Sequence, residues 1–143
     1  MKTIVRTFYL LLIAAIPFIS SCGGSEDSET EAQRITAILT SGTWKIDKLY
    51  VDGVESSSYT DLTLNFTATN FTAANGEPVW PSTGTWSSFD DTALTMVRND
   101  QVNVSINAIE ADNLELRLDW SLQTLGPGRQ GSVKGSHLFM FHK

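Results

Sequence analysis

Three stretches of this chain alternate apolar and polar side chains with a period of two. In "DLTLNFTA" Leu62, Leu64, Phe66 and Ala68 alternate with Thr63, Asn65 and Thr67. In "VNVSINAI" Val102, Val104, Ile106 and Ala108 alternate with Asn103, Ser105 and Asn107. In "NLELRLDW" Leu114, Leu116, Leu118 and Trp120 alternate with Glu115, Arg117 and Asp119. Successive side chains of a strand point to opposite faces, so each stretch reads as a strand with one dry face and one wet face. Two further segments are noisier. "GTWKIDKLYV" would set Trp44, Ile46 and Tyr50 against Leu49 and Val51. "SVKGSHLFMF" would set Val133, Phe139 and Phe141 against Leu138 and Met140, a strand covered on both sides.

The connectors suit an antiparallel meander. Asp52-Gly53 and Asn75-Gly76 are hairpin dipeptides, and Arg98-Asn99-Asp100 and Ala111-Asp112-Asn113 read as turns. About seven or eight short strands at this spacing predict an all-β fold. Closing the meander into an up-and-down barrel removes its unpaired edges. With about eight strands, the interior is either filled by side chains or holds one small ligand. The predicted inward set is bulky: Leu62, Leu64, Phe66, Val104, Ile106, Leu114, Leu116, Leu118, Trp120, Phe139 and Phe141. A short helix is expected before the barrel, over about 30–40, where Ile35, Ile38 and Leu39 recur at helical spacing. Ser28 with Glu31 fits a capping box, and Gly42 is a natural stop.

The N-terminus has a different grammar. Lys2 and Arg6 precede an uncharged apolar run, Phe8 to Ile19, and Ser20-Ser21 come after it. Basic, then apolar, then small is the layout of a secretory signal peptide. A bilayer span needs ~20 residues, more than this run offers. The alternative is an uncut N-terminal anchor. Cys22 is the only cysteine of the 143 residues, so no disulfide forms within one chain. The next segment, "GGSEDSETEAQ", has four acids and no base, and reads as a solvated tether. The domain reading is therefore leader 1–21, Cys22 and tether 22–33, and barrel 34–143. Removing the leader would take both its basic residues, leaving eight bases against sixteen acids, a formal charge of −8. No basic patch of the kind that binds nucleic acid is present.

The sequence "ISSC" resembles a bacterial lipobox, an aliphatic residue and two small ones before an obligatory cysteine. The resemblance implies lipidation of Cys22, cleavage before it and acylation of the new amino terminus. Two or more acyl chains anchor a protein stably. "CGGSEDSE" is similar to the acidic export signal of Bacteroidetes-type lipoproteins, which implies an outer-membrane protein facing the cell surface. The periplasmic face is the alternative. From about Leu39 to Lys143 the chain resembles the compact lipocalin-like domains of such lipoproteins, in "LTSGTWKIDKLYVDG", "LNFTATNFT", "GTWSSFDD" and "GPGRQGSVKGSHLFMF". The likeness implies that Gly42 and Trp44, and the repeated Gly84 and Trp86, are structural, with Trp44 closing one end of the barrel. Classical lipocalins place an Arg on or after the last strand, over that Trp. Here the last strand has Lys134 and Lys143. Asp91-Thr92-Ala93 resembles an O-glycosylation acceptor of Bacteroidetes envelopes, which marks Thr92.

No enzyme and no cofactor are expected. His137 and His142 have an odd separation on one strand, so they point apart and cannot share a metal. His137 shares the Phe139 face and reads as a hydrogen-bonded core or rim histidine. Asp90-Asp91 read as solvated turn residues, and "TLGPGRQG", with Leu125 and Arg129 around its Gly-Pro-Gly turn, as a connector. Asn65-Phe66-Thr67 and Asn70-Phe71-Thr72 match an N-glycan pattern, but Asn65 simply fills a wet face. The candidate ligand or partner contacts are Trp80, Trp120 and His137. Trp80 lies between Pro78 and Pro81, either as an exposed anchor or folded back as a lid. Two functions are consistent with these residues. One is a lipid-anchored envelope protein that binds a small apolar or amphipathic ligand. The other is an accessory lipoprotein with a packed barrel that contacts protein or glycan.

Overall fold

A computed structural model describes residues 29–88, 94–122 and 134–143. Helix α1 (Glu31–Leu39) comes first, before nine strands: β1 (Thr43–Val51), β2 (Val54–Ser56), β3 (Thr63–Phe66), β4 (Asn70–Ala74), β5 (Thr83–Ser88), β6 (Thr95–Arg98), β7 (Asn103–Ile109), β8 (Asn113–Trp120) and β9 (Gly135–His142). Eight of them run antiparallel around a closed ring, β1-β3-β4-β5-β6-β7-β8-β9, and β9 pairs back onto β1. The expected all-β up-and-down barrel behind a short helix is the observed fold. The ninth strand, β2, is a small arm. It pairs with the end of β1 through a hairpin at Asp52 and Gly53, both at positive φ.

The helix starts differently from the sequence expectation. Thr30 is the N-cap, and its hydroxyl and the Gln33 side chain make the reciprocal pair of a capping box. Glu31 lies inside the first turn and bonds Arg34. The stretch 31–33 assigned to the tether is therefore helical. The end is as expected: the helix stops at Leu39, with Thr40 as its C-cap, just ahead of Gly42. The Thr40 hydroxyl donates to Thr36 O and the Ser41 hydroxyl to Ile38 O, which satisfies the last turn. Ile35 and Leu39 are buried, so α1 covers one end of the barrel, hereafter the lower end.

Alternation holds in β3 and β8, where Leu62, Leu64 and Phe66, and Leu114, Leu116, Leu118 and Trp120, face inward. It breaks twice. The register of β1 against β9 shifts between Ile46 and Lys48, so Asp47 is an extra residue. A bulge adds one residue and changes which side chains face the core. Trp44 and Leu49 are therefore both buried, and Tyr50 is only half-buried, against the expected grouping of Tyr50 with Trp44. A second shift between Ile106 and Ala108 leaves Ala108 exposed and Ile109 half-buried. Ala68 lies in the exposed turn after β3. On β9, His137, Phe139 and Phe141 are buried, and Leu138 and Met140 are half-buried on the outer side. Val133 lies outside the described residues.

Candidate functional site

The connection from β4 to β5 determines what the barrel can hold. Asn75 and Gly76 do not close a tight hairpin. Asn75 has positive φ and donates to Asp61 O, and between the exposed Glu77 and Ser82 the chain turns Val79 and Trp80 inward. Trp80 N donates back to Gly76 O at 2.8 Å. A Cβ on Gly76 would stand 2.6 Å from Trp80 Cβ and 2.7 Å from Leu62 Cδ1, so only glycine permits this fold-back. Val79 and Trp80 are fully buried. The Trp80 ring meets Phe66, Phe71 and Phe139 edge-on, at centroid distances of 6.5, 5.7 and 6.0 Å. Edge-to-face contact is the favoured geometry of such pairs. Of the two expected arrangements for Trp80, the structure adopts the lid. Its ring, at 0% exposure, offers no surface to a partner.

Arg98 does not sit in a turn, as the polar cluster around it suggests. It is the last residue of β6, and its side chain is fully buried. Nη1 donates to Val79 O at 2.7 Å, Nε donates to Asp100 Oδ1 at 3.1 Å, and Nη2 pairs with Asp100 Oδ2. The guanidinium lies 4.9 Å from the Trp80 ring centroid and 5.8 Å from that of Phe71. A buried cation is tolerated when it is both paired and hydrogen-bonded. Arg98 therefore clamps the inserted loop to the barrel wall. Gly84 lies behind the same wall, where a Cβ would meet the Phe71 ring at 2.5 Å.

Partial burial pushes the Asp100 carboxyl up, but the hydrogen bonds and charge of Arg98 hold it below its ordinary value. A carboxylate lowered in the folded state contributes stability above its unfolded pKa and loses it as pH falls through the folded one. Stability should therefore be level near neutral pH and fall by about 1 kcal/mol from this pair below about pH 4. Urea titrations at stepped pH would show it, and Asp100→Asn should remove that acid-dependent component.

Trp120 and His137 sit at the other side of the upper end. Trp120 is the last residue of β8 and lies opposite Gly135. His137 is 1% exposed, with Nδ1 3.0 Å from Gly135 O and its ring stacked on Phe139 at 5.8 Å. His142 is exposed, so the two histidines do point apart. All three candidate contacts, Trp80, Trp120 and His137, are thus interior residues.

The lower end is closed by Trp44. Its Nε1 donates to Leu39 O at 2.9 Å, and Lys143 Nζ lies 4.4 Å from its ring centroid. Lys143 Nζ also bonds Ser41 Oγ at 2.5 Å and Ala111 O. The terminal lysine thus supplies a cation over the Trp. Trp86 Nε1 donates to Thr67 O at 3.0 Å, tying β5 to the β3–β4 turn. A Cβ on Gly42 would make only ordinary contact with the Lys143 stem, at 3.6 Å. Cys22, Asp90, Asp91, Thr92, Leu125 and Arg129 lie outside the described residues.

No known family's sequence profile matches the chain. No curated protein matches it significantly. The fold therefore stands on its strand ladder, and the site on the side chains within it. Among the described residues no helix is long and apolar enough to cross a membrane.

Proposed function

We propose that this chain is a lipid-anchored envelope protein whose barrel is a packed scaffold that makes its contacts through its surface and not through a deep cup. The observation that carries the packed reading is Trp80, wholly buried and in ring contact with Phe66, Phe71 and Phe139. A large apolar ligand would have to displace that indole and the Arg98 clamp on Val79 O. Lipidation at Cys22, an outer-membrane address and kinship with lipocalin-like lipoproteins belong to the same proposal. Their support is the leader, the "ISSC" junction, the acidic tether, and a G-x-W that opens the first strand after a helix. The role is non-catalytic, and the partner is a protein or glycan of the envelope.

The anchor has a direct test. Labelled palmitate should enter the protein in its own host, and Cys22→Ala should abolish the label and release the chain from membranes. Persistence of the label in the variant would place the lipid elsewhere. Protease treatment of intact cells reads the leaflet. For the scaffold, a fluorescent fatty acid should show no saturable binding to the wild-type protein.

A further inference from the structure

Trp120 carries a donor that the described part of the fold does not use. Its Nε1–H is buried and has no acceptor among the described residues, while the whole residue is 7% exposed. The indole faces the lumen beside Gly135, which has no side chain to cover it. His137, two residues along β9, faces the same interior. Diagonal neighbours across an antiparallel pair lie ~7–8 Å apart. That spacing is within reach of aromatic side chains, and one oxygen joins two ring nitrogens through hydrogen bonds of ~2.8–3.0 Å.

The histidine is held for this task. A carbonyl only accepts, so Nδ1, 3.0 Å from Gly135 O, carries a proton. In that tautomer Nε2 is the acceptor nitrogen of the ring. The backbone behind it is pinned. Ser136 N donates to Asp52 Oδ1 and Asp52 N to Ser136 O, both at 2.8 Å, and Arg117 Nε donates to Ser136 Oγ at 3.0 Å. Stacking on Phe139 fixes the ring plane. An oxygen in this place must accept from Trp120 and donate to His137. Hydroxyl and water oxygens do both; ether and ionised carboxylate oxygens only accept.

We propose that the upper lumen is a site for one hydroxyl oxygen, bridged between Trp120 Nε1–H and His137 Nε2, supplied by a water or by a small alcohol. Trp80 packs on Phe139, the next inward residue below His137 on β9, so the alcohol is small and not a long-chain lipid. This holds whether or not Cys22 is lipidated.

The test is NMR on the 15N-labelled protein, with the Trp120 indole assigned through Trp120→Phe. The probes are the isomers 1-butanol, which accepts and donates, and diethyl ether, which only accepts. The indole proton should show a cross-peak to a long-lived water. 1-Butanol should remove it and shift the resonance saturably, at least tenfold more tightly than the ether. The His137 Nε2 resonance should move in the same titration, and His137→Phe, which keeps the ring stack, should abolish the preference for the alcohol. A water cross-peak that survives 1-butanol supports the bridge and assigns the oxygen to resident water. Absence of both the cross-peak and a saturable shift overturns the site. A static Nε2 resonance, or an alcohol preference that persists in His137→Phe, overturns the role of His137.

Discussion

Trp44→Ala should lower the unfolding free energy by ~3–5 kcal/mol, in the range of other buried aromatics truncated to alanine. Three losses combine. The indole is fully buried where α1 meets the barrel, among Ile35, Leu39 and the lower ends of the strands. Its Nε1 is the donor that satisfies Leu39 O, the last carbonyl of the helix. Its face holds the Lys143 ammonium, which in turn bonds Ser41 and Ala111. Trp44 thereby couples the helix, the first strand, the β7–β8 turn and the C-terminus. Lys143→Met should cost only ~0.5–1 kcal/mol, because an exposed cation over a ring contributes little. Trp44→Phe keeps a ring but leaves Leu39 O without its donor, and should fall between the two. Urea unfolding would rank the three, and Trp44→Ala should also melt about 10 °C or more below wild type. A Trp44→Ala protein that melts within a degree or two of wild type would remove Trp44 from the core role assigned to it.

The barrel was legible because the strands with the cleanest alternation pack against a dry interior. Leu62 to Phe66 and Leu114 to Trp120 keep period two, and every predicted inward residue among them is buried. The bulges were not legible. Asp47 and Asn107 are ordinary strand-face residues with no Gly or Pro beside them, and each flips the facing of the residues after it only through its pairing with another strand. Arg98 hid for a related reason. A polar "RND" cluster reads as a turn, and charged residues are rarely buried unless paired. The partners that make burial tolerable, Val79 O and the Asp100 carboxylate, come together only when the 76–82 segment turns Val79 and Trp80 inward. The signal for that inward fold was present in Gly76 and Trp80, but sequence alone cannot distinguish a stiff proline-flanked loop that presents its Trp from one that buries it. Lys143 over Trp44 joins the chain terminus to the first strand, and no local pattern encodes that contact.

Trp80→Ala should convert the packed scaffold into a binding protein. Removing the indole should destabilise the fold by ~3–5 kcal/mol, through lost transfer energy and the cavity left behind. The cavity would be lined by Phe66, Phe71 and Phe139, with Arg98 at its edge. Apolar cavities of this kind stay dry and take up small aromatic molecules. Free indole should therefore raise the melting temperature of Trp80→Ala in a saturable way and leave wild type unchanged, since a ligand that binds only the folded state stabilises it by mass action. Trp80→Phe should lose less. It keeps an aromatic ring, and Trp80 Nε1 has no acceptor among the described residues, so no hydrogen bond to them disappears with it. Arg98 supplies the internal check. Its guanidinium stays paired with Asp100 and Val79 O whether the ring above it belongs to Trp80 or to bound indole. In the variant loaded with indole, the acid-dependent component from Asp100 should then match that of wild type. If Trp80 were instead an exposed recognition anchor, its truncation would change stability by less than ~0.5 kcal/mol, as for most surface substitutions, and indole would have no effect on the melt.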